Sequence, residues 1–157
     1  DFLSKKGIQS YIVEIGGELY VKGLKPDGSP RRIGIEGPSP HAGEEPGIRH
    51  IITIEKGAVT TSGNYRKFHQ RGTEKIAHLI NPKTGYPLKN QMISVTVWAQ
   101  DAITADAYDN ALMAMEVDEA LHFVAKRKNM EVYLVYQRED GVVTDTLSKG
   151  FKKMIVN

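Results

Sequence analysis

Apolar residues recur along this chain at spacings that divide it into strand-like and helix-like stretches. Residues 10–15 (Ser-Tyr-Ile-Val-Glu-Ile) and 18–22 (Glu-Leu-Tyr-Val-Lys) are rich in β-branched and aromatic side chains and flank Gly16-Gly17. A glycine pair there marks a turn, a bulge or a close backbone approach. Residues 23–30 form a turn-rich connection, and 32–36 predict another short strand. Residues 38–46, with Pro38, Pro40 and Pro46, predict an exposed loop. Strands follow at 51–55 and 58–61, separated by Lys56-Gly57. The run 93–98 (Ile-Ser-Val-Thr-Val-Trp) is the clearest strand of all. The spacing then changes to predict a helix over 103–116 and a second one capped by Asp118 and running to about residue 128. Strands near 131–136 and 142–146 close the pattern. Strands, then helices, then strands again argue for an α+β fold, an antiparallel sheet with helices packed on one side.

Composition narrows the functional classes. The 157 residues are 40% hydrophobic and 25% charged, enough for one domain with a true core. A formal net charge of +2, from 21 basic and 19 acidic side chains, is too balanced for nucleic acid as a partner. No apolar run approaches the roughly 20 residues that span a bilayer. The opening Asp1-Phe2-Leu3-Ser4-Lys5-Lys6 has no apolar secretory segment, which leaves any signal or lipid anchor to a segment upstream. The absence of cysteine removes disulfides, thiolate metal ligands and a cysteine nucleophile.

Three stretches carry candidate chemistry. On the helix over 103–116, Asp106, Asp109, Asn110 and Met113 stand at i, i+3, i+4 and i+7 and so share one face, with Ala105, Tyr108, Leu112 and Met115 as the apolar face opposite. Oxygen-only ligands on one face suit a hard cation such as Mg²⁺; acids favouring the helix dipole are the plainer explanation. Asn81-Pro82-Lys83-Thr84 predicts a type I turn that sets His78 at the end of a short apolar strand. A neutral imidazole there can take a proton from an attacking hydroxyl, although a lone histidine at a bend is commonly a hydrogen-bonding turn residue. Finally, in Thr60-Thr61-Ser62-Gly63-Asn64-Tyr65-Arg66 small hydroxyls and a glycine let a backbone approach a phosphate closely, as an ordinary loop also would. Neither GxxxxGK[ST] nor GxGxxG occurs.

The order of these blocks is more specific than any one of them. Val13-Glu14-Ile15-Gly16-Gly17-Glu18, Thr60-Thr61-Ser62-Gly63-Asn64-Tyr65, His78-Leu79-Ile80-Asn81-Pro82-Lys83-Thr84-Gly85, Ser94-Val95-Thr96-Val97, Ala105-Asp106 and Ser148-Lys149-Gly150-Phe151 together resemble the bacterial ApbE family. These are FAD:protein FMN transferases, once described as thiamine-biosynthesis lipoproteins. The resemblance runs over nearly the whole chain and implies an ApbE-like, T-fold-related architecture.

It also implies an activity: Mg²⁺-dependent transfer of FMN from FAD, the substrate, to a threonine hydroxyl of a target protein, with release of AMP. The alternatives are a Mg²⁺-dependent FAD pyrophosphatase giving FMN and AMP, and a non-catalytic FAD-binding protein. By resemblance, Asp106 is the principal Mg²⁺ ligand, with Asp109 and Asn110 as neighbouring ligands. A threonine is usual at position 110, so its carboxamide is a departure. His78 would be the general base. Ile80 would meet the flavin nucleotide, Ser62, Gly63 and Tyr65 would line the cleft, and Gly16 and Gly17 would shape its floor. The implied partner is an electron-transport flavoprotein subunit carrying the acceptor threonine, and the implied location is the bacterial periplasm, as a lipoprotein anchored to the inner membrane. Family members are about twice this length. The chain is therefore expected to be the C-terminal portion of such an enzyme, to need the missing N-terminal half as a partner, and to be inactive alone.

Overall fold

Alternation along the strands sorts their side chains onto two faces, and each face acquires a different cover. A computed structural model describes residues 2–38, 47–64, 68–71, 74–77 and 79–156. In chain order, α1 (Phe2–Lys5) precedes a hairpin of β1 (Tyr11–Ile15) and β2 (Glu18–Lys22), then β3 (Arg31–Glu36), β4 (Ile48–Ile54) and β5 (Lys56–Gly63). A small hairpin of β6 (Phe68–Arg71) and β7 (Glu74–Ala77) follows, then β8 (Met92–Ala99), α2 (Ala102–Met113) and α3 (Val117–Ala125). The chain ends with β9 (Met130–Gln137), β10 (Val143–Leu147), α4 (Lys149–Met154) and β11 (Ile155–Val156). Beyond Pro38, the loop expected at 38–46 lies outside the described residues.

The main sheet is antiparallel, with strand order β1-β2-β5-β8-β9-β10. On β9, Met130, Val132 and Leu134 belong to one core and Tyr133 and Val135 to another, the period of two that a strand imposes. The first core also takes Val95, Val97 and Ala99 of β8, Ala58 of β5, and the buried sides of α2 and α3. The second core joins Val21, Val59, Tyr133 and Val135 to Ile33, Ile35, Ile52 and Ile54 and to Phe151 of α4. These isoleucines come from a second, three-stranded sheet of order β11-β4-β3. α2 and α3 thus cover one face of the main sheet, as expected, and the small sheet with α4 covers the other.

Some boundaries move, for identifiable reasons. α2 starts at Ala102 because Asp101, in extended backbone, accepts the Thr104 N–H at 2.8 Å and the Thr104 hydroxyl at 2.8 Å, which satisfies orphan donors of the first turn. It stops at Met113 with Ala114 as its C-cap, short of Glu116. The second helix is capped at Glu116, not Asp118; Asp118 and Glu119 fall in its first turn, where negative charge suits the dipole. The strands on either side of Lys56-Gly57 are not hairpin partners. β4 pairs with β3 and β11, whereas β5 pairs with β2 and β8, so the chain crosses between sheets at Glu55.

The sequence pattern did not resolve α4, whose start depends on a distant residue. Glu131 accepts hydrogen bonds from the Ser148 hydroxyl, the Gly150 N–H at 3.0 Å and the Phe151 N–H at 3.2 Å. This seats Phe151 in the second core. Charge-assisted bonds of this kind contribute about 1.5–3 kcal/mol, so Glu131→Ala is expected to destabilise the protein by about 2 kcal/mol, measurable by urea unfolding.

Candidate functional site

Beneath α2, the apolar cover of the main sheet is interrupted by hydroxyls along β5. β5 turns Ala58, Thr60 and Ser62 toward α2 by alternation, and the register continues this line onto β2. Leu19 pairs with Val59 and Tyr20 with Ala58, which sets Glu18 opposite Thr60 on the same face. The hairpin tip Gly16-Gly17 lies beside them. Its φ angles of +69° and +107° are ones that glycine adopts without strain, as a tight two-residue hairpin loop requires. The Glu18 carboxylate folds back over this tip, so that a Cβ on Gly16 would stand 2.9 Å from Glu18 Oε2.

α2 meets this line with its carboxylates and carboxamide. The Ser62 hydroxyl donates to Asn110 Oδ1 at 3.0 Å, and Asn110 Nδ2 donates to Asp109 Oδ1 at 2.8 Å and to the Asp106 carbonyl at 3.2 Å. These bonds fix which way the Asn110 amide faces. The buried side of α2 is Ala105, Asp109, Leu112 and Met113. This corrects the expected division of the helix into a polar and an apolar face: Asp109 and Met113 point inward while Asp106 and Asn110 are exposed. Tyr108 is only half-buried, and Met115 lies beyond the helix end. The stripe at i, i+3, i+4 and i+7 straddles the edge of the buried face, so its members see different solvent.

Asp109 is 3% exposed. Loss of hydration pushes its carboxyl up to about 7; the negative charges of Asp106 and Glu18 add to the rise, and Thr60 and the Asn110 N–H oppose it. Thr60 itself is 1% exposed, and its Oγ1 has no partner in hydrogen-bonding geometry although it faces this carboxylate. An orphaned buried hydroxyl normally has a reason. The folded state holds the Asp109 proton to about pH 7, while an unfolded aspartate releases it near pH 4. Stability of the metal-free protein should therefore fall as pH rises through this window. Asp109→Asn should remove that slope, raising stability at about pH 8 relative to about pH 5 by up to a few kcal/mol. Urea unfolding in chelator at the two pH values checks this.

The other expected site residues are placed differently. Gly63 ends β5 opposite Ser94. Ile80 forms an isolated bridge with Pro87 and is exposed. The turn at Asn81 is present, with Lys83 N–H bonded to Asn81 Oδ1 at 2.9 Å and Gly85 N–H to Asn81 O at 2.8 Å. This segment docks on the C-terminal end of α2, where Asn90 Nδ2 donates to Met113 O at 2.7 Å and Met115 O at 3.2 Å. That end lies about 10 Å along the axis from Asp106, at about 1.5 Å per residue. His78 and Tyr65 lie outside the described residues. Among the described residues, no set of three His, Cys, Asp or Glu side chains is close enough to hold a metal by itself. The sequence pattern did not single out Glu18, and it held Thr60 only as part of the hydroxyl-rich stretch 60–66. The alternation of β5 marks Thr60; for Glu18 only the pairing of β2 with β5 gives the signal.

Fold and cluster define an α+β protein in which one helix and an antiparallel sheet bring carboxyl, carboxamide and hydroxyl groups together. Residues 1–134 match the family model described as the ApbE family, and the chain belongs to that family. It is 37% identical over 152 residues to an FAD:protein FMN transferase of Haemophilus influenzae, covering 97% of this chain and 43% of that protein. It is 32% identical over 155 residues to the Escherichia coli K12 protein of the same name, covering 99% and 43%. Among solved structures it matches the flavin transferase ApbE from Vibrio cholerae with a TM-score of 0.79 and 37% identity, over 98% of this chain and 47% of that one. The chain thus spans less than half the length of these relatives.

Proposed function

We propose that this chain supplies the cation-binding and phosphate-positioning part of an enzyme that transfers FMN from FAD to a threonine hydroxyl of a protein, releasing AMP. The observation that carries this reading is the convergence of Asp106, Asp109 and Asn110 of α2 with Ser62 and Thr60 of β5, in a chain whose relatives are named FAD:protein FMN transferases.

The residues fit Mg²⁺. Each of these groups offers an oxygen, as a hard cation requires; the buried Thr60 hydroxyl has no partner in hydrogen-bonding geometry; and burial pushes the Asp109 carboxyl up. Asp106, Asp109 and Asn110 would hold the ion, which when bound neutralises charge building on the phosphoryl oxygens. In the transfer, the acceptor Oγ forms a bond to the FMN phosphorus, the bond from that phosphorus to the bridging oxygen of FAD breaks, and AMP departs. The hydroxyl proton passes to a base, for which His78 is proposed. Asn110 stands where a threonine is usual in the family; its Oδ1 accepts from Ser62 while its Nδ2 faces Asp109 and the Asp106 carbonyl, so ligation through Oδ1 would take a turn of the amide. Gly16 and Gly17 keep the hairpin tip low beside the site, and Ile80, Gly63 and Tyr65 are proposed contacts to the nucleotide. An electron-transport subunit as acceptor and a periplasmic, membrane-anchored setting rest on the resemblance alone.

The test is product analysis of the whole enzyme incubated with FAD, Mg²⁺ and an acceptor protein. Covalent FMN on threonine with one AMP released is the expected result. Free FMN and AMP would make it a pyrophosphatase, and intact FAD a binding protein. The 157-residue chain alone should give no transfer, because it spans less than half of the relatives it matches.

A further inference from the structure

Glu18 faces the same cluster from the sheet side and is neither a proposed ligand nor a proposed base. It stands on β2 one register step beyond the Leu19–Val59 pair, opposite Thr60, at the about 4.5–5.5 Å Cβ separation typical of facing residues. Its carboxylate lies over Gly16 and forms no hydrogen bond or ion pair with any other described residue. Glu18, Asp106 and Asp109 therefore bring three carboxyl groups from two elements to the same cluster. Among the described residues, no Lys, Arg or His forms an ion pair with any of them. Like charges held together in this way repel unless something neutralises them. A second sign is Thr60, whose buried hydroxyl faces Asp109 with no partner in hydrogen-bonding geometry.

The geometry points to Glu18 as a positioning residue of the cation site, an outer carboxylate that raises affinity for a divalent cation from the strand side without ligating it. This rests on the proposed reading of Asp106, Asp109 and Asn110 as the ligands. Direct ligation by Glu18 is not what the structure supports, because among the described residues no three such side chains are close enough to share an ion. Outer groups that hydrogen-bond or charge-balance a metal's ligands commonly govern affinity by 10–100-fold. The hairpin gives this residue its rigidity: Gly16 and Gly17 turn the chain in two residues, and the Ile15–Glu18 pair closes it.

The experiment is a Mn²⁺ titration of the whole enzyme, without flavin, followed by electron paramagnetic resonance. Wild type, Glu18→Gln, Glu18→Asp and Asp106→Ala are compared, and thermal unfolding of each is measured in chelator. Glu18→Gln is expected to weaken Mn²⁺ binding by about tenfold, with Glu18→Asp recovering part of the loss. Its melting temperature in chelator should be equal to or above wild type, since a repulsion has been removed; a purely structural role would lower it. If Glu18→Gln binds Mn²⁺ within twofold of wild type while Asp106→Ala does not bind, the role of Glu18 is overturned and the cation site stands. If wild type binds no better than Asp106→Ala, both fall together.

Discussion

Replacing Asp106 with alanine is expected to abolish metal-dependent FMN transfer by the whole enzyme while leaving the fold in place. Asp106 lies on the exposed side of α2, outside the buried set Ala105, Asp109, Leu112 and Met113, and alanine is the best helix former. Its removal therefore opens no cavity and weakens no cap. It takes from the cluster the one exposed carboxylate that can reach a cation without burying a second charge. A metal ion supplies several kcal/mol of charge stabilisation to a transferring phosphoryl group, so the rate should drop by on the order of 10³ or more at about 1.4 kcal/mol per factor of ten. Circular dichroism and melting temperature should match wild type, and AMP release should become insensitive to Mg²⁺. A variant that still responds to Mg²⁺ with wild-type amplitude would remove Asp106 from the ligand set.

The largest stability loss is expected at Gly57, far from that chemistry. This residue, the second of β5, has φ +124° and pairs with Val21 of β2. A Cβ there would stand 2.7 Å from the Ala99 carbonyl and 2.5 Å from Trp98 Nε1. The carbonyl belongs to the central strand β8 and cannot swing aside as a flexible side chain could. Backbone strain of about 1–3 kcal/mol and overpacking of about 1–3 kcal/mol together predict a loss of about 4 kcal/mol for Gly57→Ala. At about 2–4 °C per kcal/mol for a chain of this size, the melting temperature should fall by roughly 8–16 °C. A shift under about 2 °C would mean that the strand relaxes freely at this point. The same substitution at Gly17, where a Cβ would meet nothing within 4 Å, separates strain at a positive φ from crowding and should cost less.

How far the chain could be read before its structure depends on how local each feature is. The Gly16-Gly17 hairpin, the strand over Met92–Ala99 and the two helices announce themselves through residues close in sequence, and they are where the pattern placed them to within a few positions. The three-stranded sheet was not legible, because Ile33, Ile35, Ile52 and Ile54 look like members of any half-buried strand. Which sheet they join is decided by the crossing at Glu55. α4 was hidden for a similar reason: its cap is the side chain of Glu131, on another strand. On α2, helical spacing set Asp106, Asp109 and Asn110 on one helix but could not say that the middle one faces inward. That follows from where α2 rests on β5 and β8, and it is the burial that pushes the Asp109 carboxyl up. Glu18 needed still more, the pairing of two strands some forty residues apart. Local chemistry was visible; its assembly across the sheet was not.

The most direct measurement is a crystal structure of the protein grown with Mn²⁺, with the ion located by its anomalous signal. The expected result is a single peak in the space enclosed by Asp106, Asp109 and Asn110, with the Asp106 carboxylate at a ligand distance of about 2.0–2.2 Å and Glu18 further out on the β2 side. A peak elsewhere, or no peak with the Asp106 carboxylate turned to bulk water, would contradict the claim that this helix and sheet hold a cation for phosphoryl transfer.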